Sequence, residues 1–237
     1  EAYTPWGWHE ELFHVAKEEG LICFSSPFDK TAVDFLESLN NPIYKIASFE
    51  ITDIPLIEYA AKKMKPIVIS TGIAAAEDVQ LAVDTCRAVG NDDITLLKCT
   101  SSYPAPIEEA NLCMIKDLTE RYKVKSGLSD HTIGSVSAIV AITQGATMIE
   151  KHFIIDRGIG GPDAAFSMNE QEFTQMVKDI RMAEAAIGSV SYELTDKMKS
   201  GREFCRSLYV AEDMKAGEVI TEQNVRSVRP EIGRAHV

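Results

Sequence analysis

The 237-residue sequence has no apolar run approaching the roughly 18 residues that cross a bilayer, so no membrane partner is expected. It also lacks any cluster of basic residues. Lys and Arg number 24 against 36 Asp and Glu, and a net charge of −12 argues against a nucleic-acid partner, whose phosphates bind grouped cations. Cysteine is sparse: Cys23, Cys86, Cys99, Cys113 and Cys205 form an odd set without CxxC spacing, which argues against a disulfide framework. They read as reduced thiols of a cytoplasmic protein, with Cys23 and Cys99 expected to pack as small apolar residues. No signal peptide and no Met open the chain at Glu1-Ala-Tyr-Thr-Pro-Trp6, so an earlier segment is expected to precede it. Repeats and low-complexity stretches are absent too.

What is present is a globular composition, 45% hydrophobic and 25% charged, arranged as short apolar runs alternating with helical patterns. The expected strands are Leu21–Ser25, Ile43–Ser48, Pro66–Thr71, Ile94–Thr100, Gly127–His131 and Thr147–Phe153. A first helix is expected from Trp8 to Gly20. The clearest helix is Ala76–Val89, with Val79, Ala82, Val83 and Cys86 at helical spacing and Gly90 as its stop. Asp53 reads as an N-cap ahead of Ile54-Pro55, and Asn169 with Glu172 as a capping box for a helix running towards Gly188. This alternation predicts an α/β protein with parallel strands covered by helices.

Polar residues decide between an open sheet and a closed barrel. Ser25, Ser26, Ser48, Glu50, Ser70, Thr71, Thr100, Ser101, Ser129, His131, Glu150 and His152 all fall at or near carboxyl ends of the expected strands. Recurrence on every strand suits the mouth of a (β/α)8 TIM barrel, truncated here to about six βα units with two preceding Glu1. Residues 1–188 would form this domain and 189–205 a linker. A small second domain would begin at 206–230, and 231–237 reads as a non-native tail, so His236 is set aside.

Two histidines sit near the ends of the last two strands, and period-two alternation puts Ser129 with His131 and Glu150 with His152. Neighbouring strands would bring the imidazoles together as ligands for a divalent metal, although two satisfied core histidines explain the pattern equally well. Lys45, inside an apolar strand, needs an anion, either a protein carboxylate or a substrate phosphate or carboxylate. Glu50, Glu150 and Asp163 are the candidate acid or base groups, Asp163 in the rigid loop Gly160-Gly-Pro-Asp163. Asp130 would orient a ring or cap the next helix, and capping is the expectation.

Seven ordered motifs then carry a resemblance. Phe24-Ser-Ser-Pro-Phe-Asp29, Tyr44-Lys-Ile-Ala-Ser48, Ser70-Thr-Gly72, Cys99-Thr-Ser-Ser-Tyr-Pro104, Gly127-Leu-Ser-Asp-His-Thr132, Ile149-Glu-Lys-His-Phe153 and Gly161-Pro-Asp163 together resemble the nonulosonic (sialic) acid synthases. The resemblance implies an enzyme, a C–C bond-forming transferase that joins phosphoenolpyruvate to an amino-sugar aldehyde. It also implies a (β/α)8 barrel followed by an antifreeze-like (SAF) domain, in a homodimer. His131 and His152 would hold the divalent metal, Mn2+ or Mg2+. Ser26, Lys45, Ser48, Ser70 and Ser129 would bind phosphoenolpyruvate, and Thr71, Ser101 and Tyr103 would join the substrate contacts. Glu50 would manage protons or water, and Glu150 and Asp163 would meet the sugar.

Tyr3-Thr-Pro-Trp-Gly-Trp8 and Ser48-Phe-Glu50 resemble the pseudaminic branch, where N-acetylneuraminate synthases usually carry Gly between Ser and Glu. Phe49 would pack under the barrel or face the sugar, where an apolar wall suits a 6-deoxy substrate. The N-acetylneuraminate and legionaminic branches are the alternatives within the class. A carbohydrate-binding protein with a SAF-like tail is the alternative outside it. With two βα units expected ahead of Glu1, the 237-residue chain alone should show no phosphate release from phosphoenolpyruvate, and measurable turnover would overturn that expectation.

Overall fold

The computed structural model describes residues 4–229. Tyr3, Pro230 and the tail at 231–237 therefore lie outside the described residues. The chain divides into two compact units, Glu1–Gly188 and Ser189–Val237.

In the first unit the elements are α1 (Trp6–Glu18), α2 (Lys30–Ser38), β1 (Tyr44–Ile46), α3 (Ile54–Ala61), β2 (Ile67–Ser70), α4 (Ala76–Ala88), β3 (Ile94–Cys99), α5 (Met114–Tyr122), β4 (Lys125–Asp130), α6 (Val136–Thr143), β5 (Ile149–Lys151) and α7 (Glu170–Ile187). The five strands are parallel and pair in sequence order, β1-β2-β3-β4-β5, curled as half a barrel with the helices outside. β2 and β3 are buried along their whole length, as apolar strands covered on both faces should be. Val33, Leu36, Tyr44, Ile57, Ile69, Val83, Leu96 and Leu118 belong to the main core. Each of the aliphatic side chains among them stabilises the fold by roughly 1.5–3 kcal/mol on burial.

The helix signals match their predicted places. Asp53 accepts the Leu56 N–H at 3.1 Å, and Asn169 and Glu172 form a reciprocal capping box. On α4 the buried residues are Val79, Ala82, Val83 and Cys86. Two expectations change. The strand expected at Leu21–Ser25 is reduced to a single parallel bridge from Ser25 to Tyr44. Leu21 and Ile22 are 68% and 72% exposed, so the apolar run gains neither a ladder nor a packed layer.

Asp130 also departs from expectation, because it does not cap α6, which begins six residues later at Val136. Instead its Oδ2 lies 2.8 Å from Lys151 Nζ, with both side chains 1% exposed. Its Oδ1 accepts the Thr132 N–H and hydroxyl at 2.9 and 2.8 Å, and Lys151 also donates to the Thr132 carbonyl. The pair joins the last residues of β4 and β5, which are register partners. Gly127 permits the close approach of these segments, since a Cβ there would lie 2.3 Å from the Met148 carbonyl oxygen.

The second unit contains α8 (Asp196–Gly201) and an antiparallel pair, β6 (Ser207–Val210) with β7 (Val225–Val228). Asn224 is buried and donates to the Val219 carbonyl at 2.9 Å, closing the connection between the strands. Among the described residues, no helix is long and apolar enough to cross a membrane.

Removing one member of the Asp130–Lys151 pair strands a buried charge. Asp130→Asn or Lys151→Met should each cost about 3–5 kcal/mol in urea unfolding, and the double substitution Asp130→Asn/Lys151→Met much less than their sum. Additive losses would show that the two charges do not depend on one another.

Candidate active site at the carboxyl ends of the strands

The parallel sheet delivers its polar residues to one end. His131 follows β4 and His152 follows β5, and their ring centroids stand 5.1 Å apart at an interplanar angle of 69°. His131 Nδ1 lies 2.9 Å from the Thr100 carbonyl oxygen, which makes it a donor there and leaves Nε2 as the lone-pair nitrogen. His152 Nδ1 lies 3.4 Å from Asp163 Oδ2. Burial and the neighbouring His131 hold His152 below the ordinary histidine value, which favours the neutral ring. Burial also pulls His131 down, but the Cys99 thiol and the Thr100 carbonyl outweigh it and raise it.

Aromatic rings complete this corner. Tyr103 is centred 4.3 Å from His131, and Phe166 4.9 Å from His152. The loop that brings Asp163 and Phe166 here is fastened by Arg157, which donates to the Ser167 carbonyl at 2.9 Å and to Glu172. Positive φ at Gly160 and Gly161 lets the chain turn back.

A second cluster centres on Lys45 in β1. Its Nζ lies 3.2 Å from Glu150 Oε2, while Glu150 Oε1 accepts the Ser129 hydroxyl at 2.6 Å. Of the two anions the sequence left open for Lys45, a protein carboxylate fills the role here. Ser48 accepts the Gly72 N–H at 3.1 Å. Gly72 keeps this space open, because a Cβ would lie 2.2 Å from Ser101 Oγ and 2.8 Å from Ser48 Oγ. Ser70 Oγ and Glu50 Oε2 are buried without a hydrogen-bond partner among the described residues. Burial and then the Asp53 charge raise the Glu50 carboxyl above its ordinary value. Ser26 lines a cavity of about 710 Å³ with Phe24, Phe28, Lys45 and Glu150.

Not every expected residue converges. The Thr71 hydroxyl donates to the Leu97 carbonyl at 3.1 Å and Thr71 lines a separate cleft between α4 and α5. Phe49, in the turn Ser48–Glu50, is 61% exposed, which removes the alternative that it packs beneath the sheet. Cys99 was expected as apolar filling, but it adjoins polar groups. Its Sγ lies 3.8 Å from both His131 Nδ1 and Ser101 Oγ. Burial pushes this thiol up, but His131, Ser48 and Ser101 outweigh it and bring the value to about 7. Phe166 carries no sequence signal as a site residue, being one aromatic in an irregular loop. The Thr100 carbonyl is a backbone group that no side-chain pattern reveals.

The donor set suits a divalent ion only in part. Among the described residues no group of three or more His, Cys, Asp or Glu forms a metal cage. His131, with Nδ1 given to the Thr100 carbonyl and Nε2 left with its lone pair, and His152 beside it with Nδ1 3.4 Å from Asp163 nevertheless fit an ion that takes its remaining ligands from water or substrate.

A curled parallel sheet with imidazoles, carboxylates, hydroxyls and a lysine at its carboxyl ends defines a barrel enzyme, whose chemistry is housed at that face. Residues 1–192 match the NeuB family, and the chain belongs to it. It is 50% identical to pseudaminic acid synthase of Helicobacter pylori, over 98% of this chain and 68% of that protein. It is 36% identical to N,N'-diacetyllegionaminic acid synthase of Campylobacter jejuni, over 95% of this chain and 68% of that protein. Among solved structures, N-acetylneuraminic acid synthetase of Leptospira borgpetersenii superposes with a TM-score of 0.80 at 29% identity, covering 86% of this chain and 71% of that one. The resemblance drawn from the seven motifs and the α/β barrel class are borne out.

Glu50 offers a pH test. Its folded-state value is raised, so ionisation costs stability as pH climbs through that value, and the cost is absent below the unfolded value near 4.5. Glu50→Gln should therefore raise the urea midpoint at pH 7 and leave it unchanged near pH 4. An equal effect at both pH values would remove the burial argument.

Proposed function

We propose that this chain is the synthase portion of a pseudaminic acid synthase, condensing phosphoenolpyruvate with 2,4-diacetamido-2,4,6-trideoxy-altrose and releasing phosphate by C–O cleavage. The observation that carries the reading is the pairing of a lysine-centred hydroxyl cluster with two imidazoles 5.1 Å apart at one end of a half-barrel. The similarity to pseudaminic acid synthase supports the choice of branch.

In this reading Lys45 exchanges Glu150 for the anionic groups of phosphoenolpyruvate, with Ser26, Ser48, Ser70 and Ser129 donating hydrogen bonds. Ser101 lies beside Ser48 across Gly72 and joins these contacts; Thr71, whose N–H and hydroxyl both go to the Leu97 carbonyl, supports them by fixing the strand end. A divalent ion, Mn2+ or Mg2+, held by His131 and His152 would supply Lewis-acid polarisation of the aldehyde oxygen. Tyr103 covers the histidine pair and excludes water, while Glu150 and Asp163 fix hydroxyl or amide groups of the sugar. The C2–C3 π pair of phosphoenolpyruvate forms the new bond to the aldehyde carbon, and the aldehyde's C=O π pair moves to its oxygen. Water adds at the electron-poor C2, and Glu50 takes one of its protons and passes it to the former aldehyde oxygen, which ends as a hydroxyl. The C2 hydroxyl then becomes the ketone as phosphate departs with the C2–O bond electrons and takes the second proton. A carboxyl raised by burial is a stronger proton acceptor than a free one, as that transfer requires.

The same proposal assigns 1–188 to six βα units of the barrel, 189–205 to a linker and 206–230 to the opening of a SAF domain. It places the whole protein in the cytoplasm as a homodimer. Phe49 supplies the apolar wall for the sugar's methyl group, and its exposure leaves the ring available for that contact.

The deciding experiment is a coupled phosphate-release assay on the protein at the length of its relatives, offered the altrose derivative, N-acetylmannosamine and the legionaminic precursor. The expected preference is for the first. Preference for either of the others would replace the pseudaminic reading with the corresponding branch. Phe49→Gly should cut the kcat/KM preference for the 6-deoxy sugar by about tenfold, the scale of one apolar contact. An unchanged ratio would free Phe49 from specificity.

A further inference from the structure

Lys98, in β3, is a buried cation left without a counter-charge. It is 9% exposed. The other two lysines with buried side chains, Lys45 and Lys151, have carboxylate oxygens at 3.2 and 2.8 Å. Lys98 has none within 4.0 Å among the described residues. Its Nζ donates instead to two neutral oxygens, the Cys99 carbonyl at 2.7 Å and Thr100 Oγ1 at 3.1 Å. An ammonium has three N–H donors, so one is left over. Burial presses this lysine below its ordinary value, the sign of a charge short of stabilisation.

Strand alternation puts Cys99 towards His131 and Lys98 on the helix side of the sheet. There it borders a cleft of about 590 Å³ between α4 and α5, with Leu118 and Tyr122 as apolar wall and Arg121 and Asn111 as polar lining. The one carboxylate in that lining, Asp117, is held by Arg121 at 3.0 Å. The cleft is therefore lined by two cations and one carboxylate, and the more buried of the cations keeps one N–H uncommitted.

We propose that this cleft binds a phosphate-type oxyanion, with Lys98 as its central donor and Arg121 at its rim. Thr71, Gly72 and Cys99 line it as well and form the wall it shares with the Lys45 cluster, but Lys45 itself lies outside it and the binding needs none of the chemistry proposed there. The cleft is nonetheless wired to the active site. Lys98 holds the Thr100 hydroxyl, and the Thr100 carbonyl is the acceptor for His131 Nδ1 at 2.9 Å. An anion that draws Lys98 outward loosens the residue that orients His131, so occupancy would regulate the histidine pair.

The test is calorimetric titration of inorganic phosphate into wild type, Lys45→Met, Lys98→Met and Lys45→Met/Lys98→Met. Because Lys45 would also attract phosphate, Lys45→Met isolates the second site. It should retain one phosphate site, and adding Lys98→Met should weaken that site by at least about tenfold, the loss of one charge-assisted hydrogen bond. Absence of phosphate binding in Lys45→Met, or equal affinity in Lys45→Met and the folded double variant, overturns the proposal. Should the Lys98 variants fail to fold, Lys45→Met/Arg121→Ala decides, since Arg121 is 53% exposed and outside the core. A several-fold weaker site is then expected, and unchanged affinity overturns the proposal. Titration of a nucleoside monophosphate and a hexose phosphate into Lys45→Met separates a free-phosphate site from one that takes a phosphate monoester.

Discussion

The lateral tie between β4 and β5 is the constraint on which the rest of the site depends. β5 is three residues long, so its register cannot be fixed by a long ladder. Two local devices fix it. Gly127 lets the Met148 backbone come close, and the buried Asp130–Lys151 pair joins the strand ends. A slip of one residue would turn Glu150 and His152 to the helix side and Lys151 into the mouth. A buried ion pair is a poor source of net stability compared with apolar packing, but it is selective about its partner, and selectivity is what a short strand at an active site requires.

The mouth of the half-barrel contains two electrostatic neighbourhoods. Around His131 and His152 the surroundings are aromatic, and His131 is held with Nδ1 engaged by the Thr100 carbonyl and Nε2 open. Around Lys45 the groups are small and mostly neutral, and the charge is balanced by Glu150. The peptide at Gly72 lies next to Ser48, Ser101 and Cys99, where no larger residue fits. The region is therefore kept open by the lack of a side chain as much as by the hydroxyls that line it.

Much of this was readable in the residue order because it follows from periodicity. Strands with period two, helices with period 3.6 and caps at Asp53 and Asn169 are local rules, and the polar strand ends gave both the barrel class and the site face. What escaped is what depends on contacts distant in sequence. Asp130 looks like a helix cap to a local rule, but its partner lies on the next strand. Cys99 looks apolar until His131 and Ser101 are brought beside it. The Leu21–Ser25 run has strand composition, yet it pairs through one residue only, because composition does not supply a neighbour. Phe166 reaches the histidines through a loop whose course is set by Arg157, and no pattern in the loop itself announces that.

Glu150 has a consequence of its own. It is bonded at once to Lys45 and Ser129, so the residue proposed to meet the sugar also serves as an internal counter-ion. Arrival of an anion at Lys45 would be an exchange of one carboxylate for another acid group rather than a capture by a bare charge, and its affinity is the difference between the two. The exchange also frees Glu150. The second substrate's contact would thus become available only after the first has bound, which writes an order of addition into a single ion pair.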